Sequence, residues 1–262
     1  MKKMTVIAGN CILENIENSL ETAGFLCEQS KRFNFNLIYK SSFKKDNRSS
    51  CDFFCGPKIQ ESIDIFKEIK EKFSLKILSD FHNLYEFDSG IINYIDVLQL
   101  PAYLCMQTEL TLKMAKIQKE INIKKGQFLH PEDVKNIINK FIWAGNNNIS
   151  ITERGTCFGY RDLVVDPRSF YVLKSFGYPV FFDVGHSIRK YGIPSANLKL
   201  GGEKQYVNIL SSSAIACKID GLFVEVHPNP PCALCDAATQ LSFSEFENLL
   251  ETVVPIWEAV YA

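Results

Sequence analysis

The sequence predicts an α/β fold, a single-domain (β/α)8 TIM barrel that spans residues 1–262, and three observations predict it. Eight short runs rich in β-branched and apolar residues recur along the whole chain. Amphipathic stretches with apolar residues three or four positions apart lie between these runs. Polar or ionisable residues follow nearly every run, as they do at the rim of a barrel where active sites are assembled.

The predicted strands are spread along the chain with room for a helix after each one. They cover residues 5–8, 37–39, 77–78, 97–100, 121–123, 149–152, 180–182 and 222–224. Strands that alternate with helices over this length favour right-handed βαβ units that close into a barrel. An open doubly wound sheet is the alternative. It would place a glycine-rich phosphate turn after the first strand, and Gly9-Asn10-Cys11 is not such a turn.

Helices are predicted where apolar residues follow the helical period. The stretch from Ile63 to Phe73 has such a stripe, with Lys and Glu on its other face. Pro131 is followed by two acids, which suits the first turn of a helix because proline lacks an amide hydrogen and acids interact favourably with the helix dipole. The stretch from Leu249 to Val260 has the apolar stripe of a last helix.

Composition excludes several function classes. The chain has 29 Lys plus Arg against 30 Asp plus Glu, so it lacks the positive field that non-specific nucleic-acid binding requires. The apolar run after Lys3 is too short for a signal peptide or a membrane span, and no membrane partner is expected. Nine cysteines without an export signal are typical of reduced thiols, which predicts a cytoplasmic protein.

Cations cluster at the predicted strand ends. Lys40, Lys45, Arg48, Lys124 and Arg154 follow strands two, five and six, so a barrel would bring them to one mouth. Cations that are held close together repel one another unless an anion neutralises them. The pattern therefore predicts a site for a substrate that carries phosphate and carboxylate groups.

A thiol, an imidazole and two carboxylates would arrive at the same rim. Cys11, His186, Glu225 and Asp236 follow strands one, seven and eight, and this donor set suits zinc or iron(II). Spacing alone leaves open a plainer alternative, in which Cys11 is a small buried residue and His186 an ordinary hydrogen-bonded histidine. The Cys232–Cys235 motif lacks a second cysteine pair, and we interpret it as structural.

Long motifs along the chain resemble those of a known family. They cover residues 7–11 (IAGNC), 40–43 (KSSF), 47–50 (NRSS), 99–102 (QLPA), 122–128 (NIKKGQF), 152–155 (TERG), 158–160 (FGY), 163–166 (LVVD) and 182–187 (FDVGHS). With these motifs in order, the sequence resembles the 3-deoxy-D-manno-octulosonate 8-phosphate synthase family from end to end. Many ordered matches are far more specific than one short pattern.

The resemblance implies a transferase that condenses phosphoenolpyruvate with arabinose 5-phosphate and releases inorganic phosphate, in the biosynthesis of the lipopolysaccharide sugar. It also implies a homotetramer. Residues 47–49 would hold the sugar phosphate, and the clustered lysines with Arg154 would hold phosphoenolpyruvate. The substrate-binding residues that we expect on this basis are Lys40, Ser42, Lys45, Asn47, Arg48, Ser49, Asp80, Gln99, Lys124 and Arg154.

The family has metal-dependent and metal-independent branches, and cysteine after the IAG turn marks the former. The resemblance therefore implies a metal site formed by Cys11, His186, Glu225 and Asp236, with zinc, iron(II) or manganese as the candidate ions. The expected catalytic residues are Cys11, His186, Asp236 and His82. We hypothesise that the metal orients the aldehyde or the attacking water and that His82, Asp236 or a metal-bound hydroxide transfers protons.

Two departures from the family bear on the second substrate. Met106 and Cys55 stand where the family carries arginine, and the resemblance assigns the arginine at position 106 to the sugar phosphate. Loss of a charge-assisted bond costs about 1.5 to 3 kcal/mol. A related synthase that acts on another aldose or aldose phosphate is therefore an alternative. A non-catalytic barrel and a Schiff-base aldolase that uses Lys124 are two others, and the clustered cations argue against both.

Overall fold

Eight parallel strands form a closed barrel in chain order. The computed structural model describes residues 2–157, 162–194, 196 and 198–262, so the motif at 158–160 lies outside the described residues. The strands are β1 (Thr5–Gly9), β2 (Asn36–Lys40), β3 (Lys76–Asp80), β4 (Val97–Leu100), β5 (Glu120–Lys124), β6 (Ile149–Glu153), β7 (Val180–Asp183) and β8 (Gly221–Glu225). The predicted barrel is confirmed, and the open-sheet alternative is wrong because β8 pairs with β1.

Helices connect the strands. They are α1 (Ile16–Arg32), α2 (Ile59–Phe73), α3 (Thr108–Lys116), α4 (Val134–Trp143), α5 (Pro167–Ser175), α6 (Val184–Ser187), α7 (Val207–Ala216) and α8 (Phe243–Tyr261). β3 and β4 are joined instead by two short 3₁₀ helices, Leu84–Asp88 and Ile91–Tyr94. Gly90 lies between these two helices with a left-handed φ of 82°, which glycine adopts at no steric cost. Among the described residues, no helix is both long and apolar enough to span a bilayer.

Apolar side chains of the described residues form two main clusters and a small third one of Cys11, Ile12 and Cys235. The larger cluster lies between the strands and the surrounding helices, and it includes Leu98, Ile121 and Phe141. The smaller cluster draws its side chains from six different strands: Ile7, Ile38, Leu78, Val97, Phe181 and Phe223. The alternation of side chains along each strand sends this second set into the barrel, where it forms a packed interior.

Most of the strands end in charged residues. β2 ends at Lys40, β3 at Asp80, β5 at Lys124, β7 at Asp183 and β8 at Glu225. All five are buried, because the strand ends are enclosed by one another and by the loops that follow them. Parallel strands of a barrel end at the same rim, so these charges lie together above the apolar interior.

Gly221 permits the close approach of β8 to β1, and its replacement tests this contact. A Cβ atom at Gly221 would lie 1.7 Å from the carbonyl oxygen of Thr5. We expect Gly221→Ala to lower the free energy of unfolding by about 1 to 3 kcal/mol or more, because the backbone must shift to relieve the clash. Chemical denaturation followed by circular dichroism measures the change.

Gly24→Ala is the matched control for this substitution. Its Cβ atom would lie 3.6 Å from the Phe73 ring, an ordinary contact, and alanine favours the helix in which Gly24 lies. Gly24→Ala should leave stability unchanged or raise it. Equal stability of the Gly221→Ala variant and the unchanged protein would contradict the packing argument.

Candidate active site

One cavity opens at the carboxyl ends of the strands, and most of the residues predicted for substrate and metal binding line it. The lining residues are Lys40, Lys45, Asn47, Asp80, Gln99, Pro101, Ala102, Tyr103, Lys124, Arg154, His186, Arg189, Phe223 and Glu225. These residues come from β2 to β8 and from the loops that follow these strands. The cavity is therefore a product of the closed fold rather than of any single segment.

Two buried ion pairs lie at the rim. Lys40 Nζ donates to Glu225 Oε1 at 2.7 Å, and Lys45 Nζ lies 3.4 Å from Asp80 Oδ2. Burial lowers the pKa of Lys40, but the attraction of Glu225 and Asp80 outweighs burial and leaves this pKa raised. Burial likewise favours a higher pKa for Asp80, yet Lys45 and Lys40 hold it below its usual range. All four groups are therefore charged at neutral pH.

Among the buried lysines Lys40, Lys45 and Lys124 of the cavity, Lys124 has the lowest pKa. Its Nζ lies 2.5 Å from Asp183 Oδ2 and 3.1 Å from the centre of the Phe223 ring. Burial outweighs the attraction of Asp183 and lowers the pKa of Lys124 to about 8. A second anion beside this amine would stabilise its charged form, so the position favours binding of a phosphate or carboxylate group.

Arg154 is a buried cation that forms no salt bridge within the described part of the chain. Its Nη1 donates to Gln127 Oε1 at 3.4 Å, its Nη2 donates to the Tyr191 hydroxyl at 3.2 Å, and its Nε has no partner there. Only 3% of the residue is exposed. A buried charge is costly unless a counter-ion lies close, so this guanidinium group suits an anionic ligand.

The neighbouring acid does not neutralise Arg154. Glu153 Oε1 accepts hydrogen bonds from the backbone N–H groups of Arg154 and Gly155, at 2.8 and 2.6 Å. The same oxygen lies 3.3 Å from Lys125 Nζ. The backbone and Lys125 therefore engage Glu153 Oε1, whereas Oε2 is buried and has no hydrogen-bond partner among the described residues. Neither oxygen forms a salt bridge with Arg154 there, so its guanidinium group remains available to the cavity.

The four predicted metal ligands meet around Asp236. His186 Nε2 lies 3.6 Å from Asp236 Oδ2, and the Cys11 thiol donates to the same oxygen at 3.3 Å. His186, Glu225 and Asp236 form one group whose ligand atoms lie within 4.8 Å of one another, and Cys11, Cys235 and Asp236 form a second. Cys235, which we interpreted as structural, thus places a thiol beside the candidate metal site.

Local structure orients two of these ligands. Asp183 caps the single turn of α6 by accepting a hydrogen bond from the His186 backbone N–H at 2.9 Å. Its other carboxylate oxygen lies 3.0 Å from His186 Nδ1, which leaves Nε2 free to face Asp236. Asp236 has a left-handed φ of 45°, a conformation that is uncommon outside glycine and often occurs at functional sites.

The protonation of these groups fits a site that binds a cation. Burial raises the pKa of the Cys11 thiol well above its usual range, with Cys235 and Glu225 adding to the shift, so the thiol is neutral. Glu225 Oε2 is buried and has no hydrogen-bond partner among the described residues. A divalent cation would ionise the thiol and give this oxygen a partner, so the donor set fits a metal ion.

Six of the predicted residues lie outside the cavity lining, namely Cys11, Ser42, Arg48, Ser49, His82 and Asp236. Ser42 is buried, whereas Ser49 lies on an exposed loop. His82 lies close to Asp80, and burial lowers its pKa against the attraction of that carboxylate, so the ring is neutral. His82 Nδ1 is buried without a partner within the described chain.

Arg48 and Arg189 lie at the mouth. Arg48 also lies outside the lining, and its Nη1 and Nη2 donate to Cys235 Sγ at 2.6 Å and to the Leu234 carbonyl oxygen at 3.1 Å. Arg189, which sequence reasoning missed, lines the cavity and lies 3.9 Å from Asp236 Oδ1. Its position shortly after the end of β7 is the same signal that identified His186.

Comparisons with known proteins agree with this geometry. Residues 1–260 match the DAHP synthetase I family. Three similar proteins are each named 2-dehydro-3-deoxyphosphooctonate aldolase. The one from Trichlorobacter lovleyi is 43% identical over 95% of this chain and 90% of its own length. The one from Geobacter sp. strain M21 is 40% identical over 97% and 92%, and the one from Fusobacterium nucleatum is 40% identical over 97% and 91%.

The lowered pKa of Lys124 predicts how anion binding depends on pH. Sulfate keeps two negative charges across the neutral and alkaline range, so only the protein titrates. We expect its affinity to fall as pH rises above about 8, where Lys124 loses its proton, by up to about tenfold per pH unit. Isothermal titration calorimetry from pH 7 to 9.5 measures the change. Lys124→Arg keeps the charge and should flatten the profile, and a flat profile in the unchanged protein would contradict the assignment.

Proposed function

Because the chain belongs to the DAHP synthetase I family, we propose that it is an aldol-type transferase that makes 3-deoxy-D-manno-octulosonate 8-phosphate. Its substrates are phosphoenolpyruvate, arabinose 5-phosphate and water, and inorganic phosphate is the second product. One observation carries the proposal: the cations Lys124 and Arg154 share a cavity with the candidate metal ligands His186 and Glu225. The names of relatives about 40% identical to the chain agree with it.

The reaction joins two anions, and the cavity is built to hold them. In the proposed reaction, C3 of phosphoenolpyruvate attacks the aldehyde carbon of the sugar, water adds to C2, and the C2–O bond to phosphate breaks. Lys124 and Arg154 bind the enol phosphate, while Lys40 and Lys45 complete the positive surface around phosphoenolpyruvate. Orienting both substrates removes much of the entropic barrier to their encounter.

Charge develops at two points during the attack, negative on the aldehyde oxygen and positive on the enol carbon. Cys11, His186, Glu225 and Asp236 would hold a divalent metal, with zinc, iron(II) and manganese as candidates, and this ion would supply Lewis acidity. Asp183 keeps the His186 ring in the orientation that such binding requires.

Asp236 and His82 are the proposed proton carriers. Burial favours a higher pKa for Asp236, but hydrogen bonding and attraction from His186 outweigh it, so this carboxylate is ionised and able to accept a proton. His82 is neutral, and its buried Nδ1 has no partner in the described part of the chain. Both groups are therefore unprotonated, as a general base must be, and the lowered pKa of Asp236 makes its carboxylate a weak base.

We propose that residues 1–262 form one synthase domain that assembles as a homotetramer in the cytoplasm. Trp143 and Tyr171 support association, since each is 80% exposed and large aromatic residues are enriched in interfaces. Trp143 ends α4, and Tyr171 lies in α5. The free state of all nine cysteines supports a reducing compartment.

A related synthase with another aldose substrate is the second candidate. Met106 and Cys55, where the resemblance expects arginine, are exposed and offer no guanidinium group, which favours this alternative for the sugar phosphate alone. The Schiff-base alternative is disfavoured because Lys124 lies 2.5 Å from Asp183 and its amine is therefore paired. A non-catalytic barrel would have no need for Arg154, a buried cation that forms no salt bridge with any described residue.

Release of inorganic phosphate from phosphoenolpyruvate tests the reaction and its second substrate together. We expect release with arabinose 5-phosphate to exceed release with free arabinose, ribose 5-phosphate or erythrose 4-phosphate. A chelator should abolish it and added divalent metal should restore it. Equal release without any aldose would contradict the proposal. Borohydride trapping of the sugar aldehyde or of the keto product on Lys124 would instead support the Schiff-base alternative.

Metal content tests the ligand set independently of activity. We expect Cys11→Ser to lower metal affinity by at least about tenfold, since loss of an outer-sphere partner alone costs that much. Dialysis against graded chelator followed by elemental analysis measures the affinity. Cys217→Ser, at the end of α7, is the matched control and should retain metal. Equal metal retention by both variants would remove Cys11 from the ligand set.

A further inference from the structure

We propose that Arg189 binds the phosphate of the aldose phosphate and so sets the preference for a phosphorylated second substrate. This inference rests on the proposed function, because it concerns the second substrate of that reaction. It adds to the site a residue that neither the strand-end pattern nor the family motifs identified. Four observations on charge and position carry it.

The inner lysines are already paired. Carboxylate oxygens lie 2.7 Å from Lys40 Nζ, 3.4 Å from Lys45 Nζ and 2.5 Å from Lys124 Nζ. Within the described chain, Arg154 is the inner cation that forms no salt bridge, and together with Lys124 it provides for one phosphate group. A second phosphate therefore requires cations outside this inner set.

Arg189 is such a cation. It lines the cavity, and its side chain is only 20% exposed. Its nearest carboxylate oxygen, Asp236 Oδ1, lies 3.9 Å away, too far for a hydrogen bond. The Nε of Arg189 is buried and has no partner among the residues that the structure describes. A guanidinium group offers five N–H donors in a planar fork, so Arg189 retains the donors that a phosphate needs.

Arg48 supplies a second guanidinium group beside the same segment. Its Nη1 and Nη2 contact Cys235 and Leu234, its Nε has no partner in the described residues, and it forms no salt bridge there. Arg189 approaches the next residue, Asp236. Two weakly compensated guanidinium groups therefore lie along a three-residue segment, an arrangement that suits the three oxygens of a phosphate monoester.

Tyr191 lies between the inner and the outer cations. Its hydroxyl accepts a hydrogen bond from Arg154 Nη2 at 3.2 Å, and its ring centre lies 6.0 Å from the Arg189 guanidinium carbon. Burial raises the pKa of Tyr191 to about 12, so the phenol is neutral and does not offset either charge. The anion sites at Arg154 and at Arg189 are therefore separated by the Tyr191 ring. This arrangement suits two anionic substrates that react with each other.

Steady-state kinetics of Arg189→Gln test the proposal. With arabinose 5-phosphate varied, kcat/KM should fall by about 10- to 100-fold, the range expected for loss of a charged hydrogen bond. The KM for phosphoenolpyruvate and the kcat/KM for free arabinose should stay unchanged. Arg189→Lys should recover part of the loss, because it keeps the charge without the fork. Arg168→Gln, which removes an exposed arginine paired with Asp166, is the matched control.

Two kinetic outcomes would overturn the proposal. Equal losses with arabinose 5-phosphate and free arabinose would show that Arg189 does not contact the phosphate. A rise in the KM for phosphoenolpyruvate alone would assign Arg189 to the first substrate. Metal content and melting temperature of the variant separate both outcomes from damage to Asp236 or to the fold.

Direct binding separates failure of this inference from failure of the proposed function. If the unchanged protein released no phosphate with any aldose, the proposed function would fail. Calorimetric titration with arabinose 5-phosphate and with arabinose would still decide the role of Arg189. Loss of the preference for the phosphorylated sugar in Arg189→Gln supports the inference, and an unchanged preference refutes it.

Discussion

The pairing of buried charges across the barrel rim is the constraint on which the site depends. Lys40 on β2 pairs with Glu225 on β8, and Lys124 on β5 pairs with Asp183 on β7. Each partner comes from a different strand, so neither charge is tolerable unless the barrel closes. Closure of the barrel therefore serves both the fold and the site. It buries these charged groups and also brings together the partners that keep them ionised.

Much of this arrangement follows from the order of residues. The apolar runs of the strands and the apolar stripes of the helices have different sequence periods. Segments of the two kinds alternate along the chain, which predicts the barrel. Charged residues at the strand ends predict one shared rim, and the structure brings Lys40, Asp80, Lys124 and Glu225 together there. The connection from β3 to β4 is less regular, because Gly90 separates two short 3₁₀ helices.

Other features depend on contacts that sequence spacing does not reveal. The direction of the Arg48 side chain is set by Cys235 and Leu234, which lie far along the chain. Burial of Cys235 next to Cys11 likewise results from the path of the segment that carries Asp236. The position of Arg189 after β7 could have identified it as a site residue. That its charge has no close counter-ion follows only from the 3.9 Å distance to Asp236 Oδ1.

The dipeptide Glu153-Arg154 has no formal charge when its two side chains are added together. Backbone amides and Lys125 engage one oxygen of the Glu153 carboxylate, so the Glu153 side chain acts on the backbone while the Arg154 side chain faces the cavity. A chain with a net charge of −1 thus surrounds an incoming anion with a positive potential. The overall isoelectric point of such a protein is a poor guide to what its interior attracts.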